Sequence, residues 1–153
     1  MKVMKKLLII LVAAVALIGC KQNEEIKFDK TASEGIAGLY EGTWTRALND
    51  DVVSGTGTIM FVASDQANVG TITASCENPA INRTGIVNVA HSDYEYVFYN
   101  NSDKPEAGFG AKFSGRVYKD GSVDMQYTVE EVVGRFKNTY QFTFVGHKVE
   151  PVY

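Results

Sequence analysis

Cysteine and histidine are scarce, with two of each in 153 residues. A disulfide scaffold needs several cysteine pairs, so that class is excluded. A zinc site needs three or four convergent ligands, and His91 and His147 form no H-x-H or H-x-x-x-H pair that would propose one. Three prolines and fourteen glycines, without any period, exclude collagen and Pro-rich low complexity. Positive charge is also short. The formal charge is -3, and four arginines among fifteen basic residues offer few bidentate phosphate clamps, so nucleic acid is not an expected partner. What is present is 45% apolar and 22% charged residues, the composition of one globular domain with something attached.

The attachment is N-terminal. Lys2, Lys5 and Lys6 precede an apolar run from Leu7 to Ile18 that ends at the small residue Gly19, the three regions of a secretory signal. Twelve helical residues span roughly 18 Å against a hydrocarbon core of about 30 Å, which disfavours a permanent transmembrane helix. The run closes with Leu17-Ile18-Gly19-Cys20, which resembles the lipobox of bacterial lipoproteins. That resemblance implies that residues 1–19 are a removed signal peptide and that Cys20 carries a diacylglyceryl group. Two or more acyl chains anchor a protein stably, so the expected partner is a membrane held through lipid and not through a spanning segment.

Removal of the three leader lysines leaves 12 basic residues (15 minus 3) against 18 acidic ones, a charge of -6. Cys76 is then the only thiol not committed to lipid, which forbids an intramolecular disulfide, and it is expected as a small buried strand residue. Residues 20–38 read as the lipidated cysteine and a flexible polar tether, whose roughly 18 residues as a coil would span about 20 to 25 Å. Lys21-Gln22-Asn23-Glu24-Glu25 resembles the surface-export signal of Bacteroidetes lipoproteins. It implies an outer-membrane anchor with periplasmic or surface exposure.

From Leu39 to the end the dominant period is two, broken where Gly, Asn, Asp and Pro cluster. Eight strands are predicted: 39–47, 55–63, 67–75, 84–90, 94–99, 109–119, 122–132 and 135–147. Asp120-Gly121 predicts a type I′ hairpin turn, and Val133-Gly134 a second tight connection. Short links between sequential strands mean antiparallel neighbours. The body at 39–153 is therefore all-β, an eight-stranded antiparallel up-and-down barrel, with a two-sheet sandwich as the alternative. A membrane-spanning barrel would need an outward apolar band, whereas Lys112, Arg116, Asp124, Glu130 and Lys137 occupy one face of the last three strands.

Gly42-Thr43-Trp44 on the first strand resembles the G-x-W motif that opens lipocalin and other calycin barrels. The resemblance implies that Trp44 closes one barrel end beneath an arginine from the end of the last strand. Arg135 is placed at the start of that strand instead. It also implies a small apolar or aromatic ligand at a barrel mouth, for which Tyr94, Tyr96, Phe113, Tyr127 and Tyr140 have the parity to serve as lining.

Motifs that carry chemistry are missing. Asp50-Asp51 and Glu130-Glu131 are adjacent pairs whose side chains leave a strand on opposite faces, so neither makes an acid and base couple. No G-x-S-x-G occurs, and Gly55-Thr56-Gly57 lacks the helix that a phosphate loop requires. No enzymatic activity, cofactor or metal is expected, and a monomer is. The small inward residues Gly42, Gly55, Gly57, Ala63, Ala111 and Gly115 either open a pocket or complement large neighbours in a solid core. In the second case the expected role is an envelope protein–protein interaction module, with Asn100–Gly108 as the candidate surface.

Overall fold

The computed structural model describes residues 32–100, 108–110 and 112–151. The signal segment, Cys20, the start of the tether, most of the Asn100–Gly108 loop and Tyr153 lie outside the described residues. Eight strands follow one another around a closed antiparallel barrel in sequence order. They are β1 (Gly38–Leu48), β2 (Asp51–Ala63), β3 (Val69–Cys76), β4 (Ile81–His91), β5 (Glu95–Asn100), β6 (Ser114–Tyr118), β7 (Ser122–Val133) and β8 (Phe136–Lys148). Closure comes from β1 against β8, with Trp44 opposite Phe144. This is the barrel that the period-two pattern predicts, and the sandwich alternative falls.

A short helix, α1 (Ala32–Ile36), precedes β1. It lies within the stretch expected to be a flexible tether, and that expectation is corrected for its last residues. Ala32 and Ile36, four apart on one helix face, are both buried, and Ser33 binds the β2–β3 turn through its hydroxyl on the Ala67 carbonyl at 3.0 Å. The Tyr40 hydroxyl donates to the Ile36 carbonyl at 2.7 Å. The helix thus seals the barrel end where β1 begins.

Two other expectations are corrected. The sixth strand spans 114–118 and not 109–119, because Gly108 and Gly110 take φ of +100° and +77° and break the extended run. The freed segment turns Phe109 and Phe113 into the barrel, where their rings stack at 4.8 Å. The Asp120-Gly121 turn is not type I′, since only Gly121 has positive φ, at +83°. Gly121 N–H bonds to Tyr118 O at 2.9 Å, so a three-residue loop carries glycine at its left-handed position.

Among the described residues, aromatic side chains pack across the interior. Phe61, Phe98, Phe113, Phe109, Tyr127 and Phe142 run ring to ring, at successive centroid separations of 6.4, 5.8, 4.8, 5.3 and 4.7 Å. Trp44 joins them at 6.0 Å from Tyr127 and 4.9 Å from Phe144. Small residues make room for these rings. Gly57, Gly42 and Gly146 stand side by side on β2, β1 and β8, and a Cβ at Gly57 would sit 2.6 Å from Trp44 Cδ1. A Cβ at Gly115 would run into the ring of Phe98. Each such aromatic pair is worth about 0.5 to 1.5 kcal/mol beyond the area it buries.

Candidate functional site

The five tyrosines and phenylalanines expected to line one mouth are dispersed. Tyr94 is 73% exposed in the β4–β5 turn, one residue before β5, and faces solvent. Phe113 and Tyr127 are buried members of the ring stack that fills the barrel. Tyr96 stands at the helix-capped end, its ring tilted by 35° against that of His91 at 4.7 Å. Tyr140 lies at the opposite end, on β8. No mouth brings the five together.

At the capped end, Tyr96 and Tyr40 border a crevice of about 290 Å³ between α1, the β6–β7 turn and the end of β8. Gly35 and Val117 complete its walls, with Lys119, Asp120, Lys148 and Glu150 at the rim. Gly35 lets Tyr96 approach closely, since a Cβ there would stand 2.7 Å from the Tyr96 ring carbon bearing the hydroxyl and would push that ring aside. Lys148 Nζ lies 5.9 Å from the centre of the Tyr40 ring. Burial raises the Tyr40 pKa far above its ordinary value, with a smaller push from Tyr96, so Tyr40 stays a hydrogen-bond donor. The Asp120 carboxyl is held below the usual range by hydrogen bonds from Ser122, which supplies both its backbone N–H and its hydroxyl.

The other end is built differently. Pairing of β8 with β1 stops at Gln141 opposite Ala47, and pairing of β6 with β7 stops at Ser114 opposite Gln126. Strands β7 and β8 pair with each other as far as Val133 opposite Phe136. The outer part of this ribbon therefore projects past its neighbours. At its tip Val132, Val133 and Phe136 are 71%, 56% and 76% exposed, beside Arg135 and Lys137. Lys137 reaches back along the ribbon to Glu130 at 2.8 Å, and this cation holds the Glu130 pKa below the ordinary carboxylate value. Glu131 leaves on the other face and accepts a hydrogen bond from the Tyr140 hydroxyl at 3.1 Å, which raises the Tyr140 pKa. The opposed directions of Glu130 and Glu131 are those the strand period predicts.

Two arginines that sequence reasoning passed over sit among the aromatics. Arg83 lies over the Tyr127 ring at 5.4 Å and donates to the Gly108 carbonyl at 2.8 Å, pinning the inward segment that carries Phe109. Burial pushes the Tyr127 pKa up to about 12, opposed by this cation. Arg46 lies over Tyr140 at 5.8 Å and pairs with Asp51 at 3.3 Å, and its buried Nε has no hydrogen-bond partner. The signal is parity: Arg83 shares the inward face of Ile81, Gly85 and Val87, and Arg46 that of Gly42 and Trp44. Arg135, the arginine weighed as a partner for Trp44, is in the exposed turn. Trp44 is the seventh of the eleven residues of β1, in the middle layer of the core, and its Nε1 donates to Thr58 O at 3.4 Å. Ile36 and Tyr40, not Trp44, close the barrel end.

Among the described residues no three His, Cys, Asp or Glu side chains gather into a group that could hold a metal ion. Asn49 and Asp50 form the tight β1–β2 turn, with Asn49 at φ +51°, and Asp51 is taken by Arg46. Cys76 is buried, its thiol directed at Thr56 O at 3.4 Å. Fold and site together define an eight-stranded barrel whose described residues form one aromatic-rich core, with one end sealed and the other extended as a ribbon. No family model, curated protein or solved structure matches the chain.

Proposed function

We propose that the chain is a lipid-anchored lipoprotein of the bacterial cell envelope whose barrel is a non-enzymatic interaction module for another envelope protein. Anchoring rests on the lipobox-like Leu17-Ile18-Gly19-Cys20 behind a basic and apolar leader. The surface role rests on one observation, the ring-to-ring filling of the interior, which moves the capacity for contact to the outside. Mass spectrometry of the mature protein is expected to show a diacyl or triacyl Cys20, and Cys20→Ser to release the domain into the soluble fraction. An unmodified cysteine, or a Cys20→Ser chain that stays with the membrane, sinks the anchored reading.

The capped-end crevice favours a second reading, a small aromatic ligand held between Tyr40 and Tyr96. Its volume is near the lower limit of ligand pockets, about 300 Å³. Titration with a fluorescent aromatic acid tests it: Tyr96→Ala is expected to abolish binding. Identical isotherms for parent and variant would remove the crevice from consideration.

A further inference from the structure

Cations at the capped-end crevice are not neutralised by its own acids. The ion pairs among the described residues are Arg46–Asp51, Arg116–Glu95 and Lys137–Glu130, and neither Lys119 nor Lys148 of the crevice takes part in one. The two lysines are held differently. Lys119 is exposed in the β6–β7 turn, whereas Lys148 ends β8 and is half-buried. The Lys148 N–H donates to the Gly121 carbonyl at 2.8 Å, and the following Val149 N–H donates to the Leu39 carbonyl at 2.8 Å. The Lys148 backbone is therefore tied both to the β6–β7 turn and to β1.

The side chain is placed as well. Lys148 stands opposite Tyr40 in the β1–β8 register, and its stem crosses the space that Gly38 leaves, where a Cβ would stand 2.8 Å from Lys148 Cε. Gly38 has φ +141°, a conformation that side-chain-bearing residues rarely adopt, so that space stays clear. The ammonium ends 5.9 Å from the centre of the Tyr40 ring, within cation–π reach. Tyr40 is 1% exposed and its hydroxyl is spent on the Ile36 carbonyl, so its part is to seat the ammonium. The ring left open to the crevice is that of half-buried Tyr96, which its cross-strand neighbour His91 backs.

The rest of the rim limits what can enter. The Asp120 carboxylate is exposed and accepts both the N–H and the hydroxyl of Ser122, and Glu150 is exposed beyond β8. A molecule with one negative charge finds the seated Lys148, and a second charge on it would meet Asp120 or Glu150. A volume of about 290 Å³ is close to that of the smallest ligand pockets and suits a single ring with a short acid arm. We propose that the crevice takes a small aromatic monocarboxylate, its ring against Tyr96 and its carboxylate on the Lys148 ammonium. This names the ligand class of the aromatic-ligand reading and rests on that reading. The ion pair is worth about a fivefold gain in affinity, the upper end for partly exposed pairs.

The test is a fluorine NMR titration of the full chain with para-fluorophenylacetate and its neutral amide, para-fluorophenylacetamide. The acid is expected to bind about fivefold more tightly than the amide, and added salt to narrow that gap. Lys148→Met keeps the stem and removes the charge. It is expected to bring the acid down to the affinity of the amide and to leave the amide unchanged, while Lys148→Arg keeps the preference. Fluorophenylmalonate, which adds a second carboxylate to the same ring, is expected to bind more weakly than the monoacid. Equal binding of acid and amide to the parent, or a preference that survives Lys148→Met, overturns the proposal and leaves the aromatic-ligand reading standing. Loss of both ligands in Lys148→Met makes the lysine a wall of the crevice and overturns it too, as does tighter binding of the malonate. Failure of both ligands to bind the parent removes the aromatic-ligand reading and this inference with it.

Discussion

At the end where β1 begins, Ile36 of a five-residue helix and Tyr40 beneath it are buried, and the helix is tied to the β2–β3 turn. At the other end Val133 and Phe136 occupy the same inward parity on β7 and β8 and stand in solvent. The two ends share one alternating pattern and differ in whether anything remains to pack against it. Where a cap exists, inward residues become core. Where the ribbon outruns its neighbours, the same pattern exposes apolar surface, which monomeric proteins rarely leave without a use.

The largest expected separation between the ends comes from placing a charge under the cap. Ile36→Asp puts a carboxylate where no exposure remains and should cost about 4 kcal/mol, seen as a collapse of the denaturation midpoint. A loss below about 1 kcal/mol would mean that the helix is not a structural seal. Alkaline titration comes next. Tyr127 has its pKa pushed up to about 12 by burial, and Tyr40 is raised further, against an ordinary value near 10. The folded state keeps these protons while the unfolded chain gives them up, so stability is complete below pH 10 and falls as pH rises toward 12. Urea midpoints measured from pH 8 to 12 should show this decline, and Tyr127→Phe should remove part of it. A flat profile would contradict the burial of both hydroxyls.

Most of the fold was readable because side-chain alternation and turn residues are local signals. Eight strands and their order followed from runs such as Val123, Met125 and Tyr127 against Asp124, Gln126 and Thr128. What failed depended on neighbours distant in sequence. The alternation from Phe109 to Phe113 looks like strand, but left-handed glycines at 108 and 110 and a stack on Tyr127 turn it inward. Five residues of α1 are too few to display a helical period. Whether small residues open a pocket or admit large rings depends on strand register, which sets Gly57 against Trp44 and Gly115 against Phe98. Tyr94, Tyr96, Phe113, Tyr127 and Tyr140 share a parity, and parity does not say at which end of the barrel a residue lies.

A single hydroxyl offers a finer comparison. Tyr40→Phe keeps the ring and deletes the bond to the Ile36 carbonyl, and should cost about 1 kcal/mol with unchanged denaturant dependence. Tyr140→Phe deletes a bond to Glu131 on the exposed ribbon and should cost less, because water replaces the lost partner. Equal losses would mean that the ribbon is as firmly built as the cap.

The smallest expected effect is at the tip, and it bears most directly on use. Phe136→Ser removes the most exposed aromatic of the ribbon, where no packing partner is lost, and its folding free energy should stay within about 0.5 kcal/mol of the parent. A hydrophobic residue with no stake in stability is held in place by something other than folding. If Phe136→Ser instead lowers the midpoint as a core substitution does, the tip packs onto the barrel in solution. The exposed apolar surface would then be part of the fold, and the contrast between the two ends would disappear.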